Sequence, residues 1–250
     1  MPERRWGMPV TTVGDTVYLT VPIEIWREFL DKPKDTLLNV FSYCATEYES
    51  IEEARKAIGF SNGNWESMTE LGEELRLRQY GKSVFSISKK LYFDYFENKK
   101  SEYDNLLLLA YLALNSMRGK FTFSNSTYLF ARMAGYGTMD DFKEDWKKNK
   151  KGGYDYRYRC NNIAISKYSK SKQILGRTCA KLRLDLMRAY PHVHCYSEQG
   201  KRDFAFMFDE KKPREYCIKE LARIMHYRGK TVQRDELKEM MKKAKESIDK

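Results

Sequence analysis

From Leu106 to Leu114 the chain runs through nine residues drawn only from Leu, Ala and Tyr. They lie inside Tyr103–Met117, a segment whose spacing predicts one helix that is apolar on nearly every side. Such a helix has no solvent face, so other elements must wrap it, and it belongs at the centre of a core. The run is also far short of the roughly 20 residues that span a bilayer, so no membrane segment is expected. With 250 residues, 42% hydrophobic and 14% aromatic, the chain has enough material for one large domain or two small ones.

Charge divides the chain more sharply than hydropathy does. Residues 1–142 carry a net charge of −3, residues 143–190 carry +10 and residues 191–250 carry +4. Nearly all the excess of the formal +11 therefore sits in one stretch, where it projects a local positive potential. A polyanion is the natural partner, because Lys and Arg on phosphates release condensed counterions. Within the stretch, Lys147, Lys148, Lys150 and Lys151 precede Tyr154-Asp155-Tyr156-Arg157-Tyr158-Arg159. In a strand the three tyrosines share one face, and Arg157 and Arg159 share the other. Five cysteines without a Cys-x-x-Cys pair fit reduced thiols, and no apolar stretch follows Met1–Trp6, so a cytoplasmic location is expected.

Local signals give the organisation. Thr16–Pro22 reads as a strand, Ile23–Leu30 as a helix ended by Asp31-Lys32-Pro33, and Thr36–Tyr48 as a helix. Ser50 and Glu53 form a capping box that opens a helix ending at Gly59. Another helix runs from about Trp65 to Leu75, and Ser83–Ser88 alternates like a strand. Three short helices followed by a strand, with Ala54 and Gly59 near the turn, resemble the winged helix-turn-helix superfamily. Here the helix in the recognition position carries Glu66, Glu70, Glu73 and Glu74, which repel phosphate. The acidic half is therefore read as a scaffold or a contact for a protein partner or second copy.

The same order recurs downstream. The Tyr103–Met117 helix leads to a strand at Phe121-Thr122-Phe123. Ser124-Asn125-Ser126 then caps a helix through Ala134, and after a turn at Gly135–Thr138 a helix covers Met139–Trp146. Tyr154–Arg159 and Ile163–Ser166, joined by Asn161-Asn162, make a candidate wing. A further helix, Ser171–Tyr190, is expected to bury Ile174, Leu175, Ala180, Leu182, Leu184 and Met187. It leads into a hairpin of His192–Tyr196 and Arg202–Phe208 with Lys201 and Arg202 at its tip. A basic helix followed by a basic-tipped hairpin is the layout of a recognition helix and its wing, and gives the strongest DNA-facing candidate. The tail reads as two helices, Pro213–Tyr227 and Thr231–Ile248. The apolar stripe of the second either closes the core or pairs with another subunit.

The expected fold class is therefore mainly α with small β-hairpins (α+β), as tandem winged-helix-like modules. An acidic module is expected over 1–100 and a basic DNA-binding module with a helical tail over 101–250. The resemblance implies a non-enzymatic duplex-DNA-binding protein that regulates replication or transcription on a plasmid, phage or other mobile element. Lys147, Lys148, Lys150, Lys151, Arg157, Arg159, Lys201 and Arg202 are expected on phosphates. Lys172, Arg177, Lys181 and Arg183 are expected on the groove-facing helix. No cofactor is expected for this activity.

Two other chemistries are open. His192-Val193-His194 followed by Tyr216-Cys217-Ile218-Lys219 resembles the His-hydrophobic-His and Tyr-x-x-Lys motifs of rolling-circle replication initiator and relaxase endonucleases. That resemblance implies that His192 and His194 hold Mg²⁺ or Mn²⁺ and that Tyr216 attacks a DNA phosphate. Tyrosines beside arginines also suit stacking on unpaired bases, as in RNA or single-strand binding. A structural zinc site from His192, His194, Cys195, Cys179, Cys217 and His226 lacks paired ligand spacing. Asp140, Asp141, Glu144 and Asp145 read as helix N-terminal acids, and Asp209-Glu210 as a strand end and turn.

Overall fold

Gly14-Asp15, between two runs of β-branched residues, form the loop of a hairpin in the computed structural model, with Gly14 at φ 57°. A positive φ at the first loop residue is what a two-residue hairpin turn requires. The structure describes residues 9–59, 64–118, 122–138, 140, 178–198 and 203–227. These form an α+β protein whose strands make two antiparallel three-stranded sheets. They fall into two compact units. The first holds the described residues up to Met117 and from Thr127 to Leu182, and the second holds those of Arg118–Ser126 and from Arg183 onward.

In the first unit, β1 (Val10–Val13), β2 (Thr16–Pro22) and β3 (Val84–Ser88) form a sheet in that order. Register runs from Val10↔Leu19 across the hairpin and from Tyr18↔Ser88 to Pro22↔Val84 beyond it. Period-two alternation buries Leu19 and Val21 beside Phe85 and Ile87, while Thr20 Oγ1 meets Ser86 Oγ at 2.8 Å on the other face. The helix expected over Ile23–Leu30 is instead a 3₁₀ turn at Ile23–Trp26. Its bonds span three residues, Arg27 N–H to the Glu24 carbonyl at 3.2 Å and Phe29 N–H to Trp26 at 3.1 Å. That tighter path carries Ile23, Trp26 and Phe29 all into the core.

Pro33 does not stop a helix but starts one, α1 (Pro33–Ala45), at the position where its missing N–H costs nothing. Next come α2 (Ile51–Ile58) and α3 (Trp65–Leu77). Ser50 Oγ accepts the Glu53 amide at 3.2 Å, as the capping signature requires, and Gly59 ends α2 in the left-handed region at φ 87°. Gly72 lets α3 close onto α1: a Cβ there would stand 2.2 Å from the Ser42 carbonyl oxygen.

Helix α4 (Lys89–Glu97) follows β3 directly, capped by Ser88, and its Lys89 ammonium meets the Ala57 carbonyl at the end of α2 at 2.9 Å. Helix α5 (Glu102–Ser116) opens on a reciprocal Ser101/Asp104 box and is the expected central helix, with Leu106, Leu108, Leu109, Leu112 and Leu114 all buried. Helix α6 (Ser126–Met133) ends near Gly135, at φ 84°.

The second unit is built on β4 (Thr122–Asn125), β5 (Val193–Tyr196) and β6 (Asp203–Phe208), in the order β4-β6-β5. Helix α7 (Thr178–Ala189) precedes β5, and helix α8 (214–227) follows β6. Cys217, Leu221 and Met225 of α8 pack with Ala205 and Met207 of the sheet. Helix α7 is rotated from the expected phase: Leu182, Leu186 and Met187 are buried, but Ala180 is exposed and Leu184 is 51% exposed. Arg183 and Asp185 are buried instead. The expected segments 141–177 and 231–250, with the Met139–Trp146 helix, the Tyr154–Ser166 hairpin and the Thr231–Ile248 helix, lie outside the described residues apart from Asp140. No described helix is long and apolar enough to cross a membrane.

Candidate nucleic-acid interface

Helix α7 runs through Pro191-His192 straight into the hairpin β5–β6, whose register is Val193↔Phe208 through Tyr196↔Ala205. The second arm of that hairpin also pairs with β4, from Thr122↔Phe206 to Asn125↔Asp203. β6 is thus the central strand, and the hairpin is anchored through it to β4.

Arg183 is the main correction to the expected contact set. It is only 7% exposed, its Nη2 donates to Ser197 Oγ at 2.9 Å and its guanidinium lies 4.8 Å from the Phe204 ring centre. A guanidinium over an aromatic face is attracted by the ring quadrupole, and the apolar stem of Arg tolerates burial. The side chain expected to read base edges thus ties α7 to the hairpin. Apolar residues alone give α7 a phase that turns Arg183 outward, and the burial of Arg183 and Asp185 shifts that phase. Lys181 is half-buried. Lys147, Lys148, Lys150, Lys151, Arg157, Arg159, Lys172, Arg177, Lys201 and Arg202 lie outside the described residues.

The histidines do not share an environment. β5 begins at Val193, so His192 stands before the strand, half-buried, with Tyr190 and Phe208 ring centres 6.4 and 6.0 Å away. Burial pulls its pKa down, helped by His194 and Arg118 and opposed by Glu210. His194 is 1% exposed, and its Nε2 lies 3.0 Å from the Asp209 carbonyl oxygen. A carbonyl only accepts, so Nε2 carries the proton, and the buried Nδ1 has no partner.

Tyr216 is 53% exposed, with the Lys212 ammonium 5.0 Å from its ring centre. Asp209 Oδ1 accepts the Lys211 and Lys212 amides at 2.9 and 3.0 Å, and these bonds hold its carboxyl below the usual range. It forms a turn, as its position after a strand suggested. Cys195 and Cys217 are buried, and among the described residues no three His, Cys, Asp or Glu side chains stand together as a metal site.

In the first unit, the acidic face of α3 is as expected: Glu66, Glu70, Glu73 and Glu74 are all exposed, and Glu74 pairs with Arg78 at 2.6 Å. The turn after α6 is gripped by two arginines that the sequence reading missed. Arg27 Nη2 donates to the Gly135 carbonyl at 3.3 Å, and Arg132 Nη1 donates to Gly137 and to Ser83 Oγ, each at 2.6 Å. Arg132 is itself buried, which its place inside an apolar helix pattern could have signalled. No family model, curated protein or solved structure matches the chain.

Proposed function

We propose that the chain binds duplex DNA without catalysing a reaction, through winged-helix-like modules, the C-terminal of which supplies the binding face. One observation carries the reading: hairpin β5–β6 follows α7 and is paired through β6 to β4, the strand lying between α5 and α6 in sequence. Among the described elements the order is helix, strand, helix, helix and hairpin, with the lone strand beside the second hairpin arm, and this order and pairing resemble those of a winged helix.

A tandem arrangement draws support from α2 and α6. Both are eight residues long, and each is followed by a glycine at positive φ, Gly59 at 87° and Gly135 at 84°. A short turn containing glycine is what joins the helices of a helix-turn-helix. The first module departs from the pattern in two respects: the strand that pairs with β3 precedes α1 instead of following it, and β3 runs directly into α4 instead of into a second hairpin arm.

The partner follows from charge, +10 over residues 143–190. The acidic face of α3 suits a protein contact better than a phosphate backbone. On this reading the protein is a cytoplasmic regulator of replication or transcription on a mobile element, working without a cofactor.

A gel-shift titration against random duplex tests the reading. Replacing Lys147, Lys148, Lys150, Lys151, Arg157 and Arg159 by Ala should weaken binding and flatten its salt dependence by about 0.9 in log–log slope per lost phosphate contact. An unchanged slope would overturn it.

A further inference from the structure

The outer face of α8 carries a pattern that the duplex-binding reading leaves unused. Its inward residues Cys217, Leu221 and Met225 are four apart and pack against the second sheet. At 3.6 residues per turn, the direction opposite them is taken by Tyr216, Lys219, Arg223, His226 and Tyr227, and Lys212 stands just before the helix. All six are exposed, Tyr216 by 53% and Tyr227 by 60%.

Large aromatics at the surface usually keep one flank against the protein. Here two tyrosines stand opposite the core, roughly 16 Å apart along the axis, with two cations between them. One face of the Tyr216 ring already receives a cation, the Lys212 ammonium at 5.0 Å, which also lies 4.0 Å from Asp209. Tyr227 meets the His226 ring edge-on at 6.1 Å. Glu215 and Glu220 flank the stripe on either side but do not interrupt it.

We infer that this stripe on α8 is a second nucleic-acid site, one that holds a single strand by stacking unpaired bases on Tyr216 and Tyr227 and neutralising its phosphates with Lys219 and Arg223. Charge complementarity favours a polyanion over an apolar partner, and the exposed rings favour a strand whose bases are free to stack. A duplex keeps its base faces stacked inside and offers an exposed tyrosine nothing to stack on, whereas single strands bind where aromatics alternate with positive charge.

The test uses the full chain with fluorescently labelled dT₂₀ and rU₂₀, followed by anisotropy, beside a mixed-sequence duplex. Tyr216→Ala with Tyr227→Ala should weaken binding to the single strand at least about tenfold. Tyr216→Phe with Tyr227→Phe should stay within about twofold of the parent, because the rings still stack. Duplex affinity should not move in either pair, and Lys219→Ala with Arg223→Ala should lower the salt slope for dT₂₀. The dT₂₀ and rU₂₀ arms tell which backbone is preferred. Parent-like binding of dT₂₀ and rU₂₀ by the Ala pair would overturn the inference. So would an equal loss on duplex, or a Phe pair as weak as the Ala pair.

Discussion

The two sheets among the described residues have the same number of strands and differ in what they cover. Beneath β1-β2-β3 the buried side chains are Leu19, Val21, Phe85 and Ile87, joined by Trp26, whose ring centre is 6.3 Å from that of Phe85. Around β4-β6-β5 the buried set includes Arg183, Asp185 and His194 among the apolar residues, whereas the first unit's buried guanidinium, Arg132, bonds Ser83 and the turn after α6. An apolar core is held by area removed from water, at roughly 25 cal/mol per Å². A buried guanidinium or imidazole is no more stabilising than a well-packed apolar group of its size, but it forbids alternatives, since any truncation or arrangement that breaks its contacts is costly. The first sheet is therefore built for stability. The second fixes one geometry between a helix and a hairpin, which suits a surface that must present side chains at set positions.

That contrast makes ranked predictions. Phe85→Ala should cost about 3–5 kcal/mol, read by urea unfolding with far-UV circular dichroism, because it opens a cavity where nothing polar can compensate. A loss under about 1 kcal/mol would mean that the first core is looser than described. Arg183→Ala should cost about 2–3 kcal/mol in the same measurement, from the lost Ser197 bond and the lost cover over Phe204. Were Arg183 instead a DNA contact, the variant would unfold like the parent and lose only affinity.

The smallest effect belongs to His192. Burial favours its neutral form, so its stabilising contribution is complete above the ordinary histidine pKa of about 6.5 and fades as pH falls below it. The unfolding midpoint should drop between about pH 7.5 and about pH 5.5, and His192→Phe should remove part of that drop. An identical pH profile for parent and variant would place the titration elsewhere.

The elements that were legible in the sequence are those specified by neighbours along the chain. Ser50 with Glu53, Gly59, and the all-apolar α5 each settle their structure within one or two turns. Elements without a strong local signature were not legible. β1 is four residues whose strand character comes from pairing with β2, and the 3₁₀ turn at Ile23–Trp26 answers to the core it fills. Helix α4 was missed although Ser88 caps it, because the preceding β3 reads continuously into Lys89-Lys90.

At the candidate interface the same division holds. The α7-hairpin order was readable, while the inward turn of Arg183 depended on Ser197 and Phe204, 14 and 21 residues further on. The tyrosines and cations of α8 were visible one by one. Their shared direction became evident only once Cys217, Leu221 and Met225 fixed which side of the helix is covered.

Arg27 reaches a carbonyl that lies 108 residues later, at Gly135. A chain leaving the ribosome makes the guanidinium long before the bend it will hold, so the bend after α6 can be finished only once the N-terminal third is in place. Fragments lacking that third would hold the exit of α6 only by local bonds such as that of Arg132 to the Gly137 carbonyl. Dissecting this protein by truncation would then remove a brace as well as a region, whereas Arg27→Ala in the whole chain removes the brace alone.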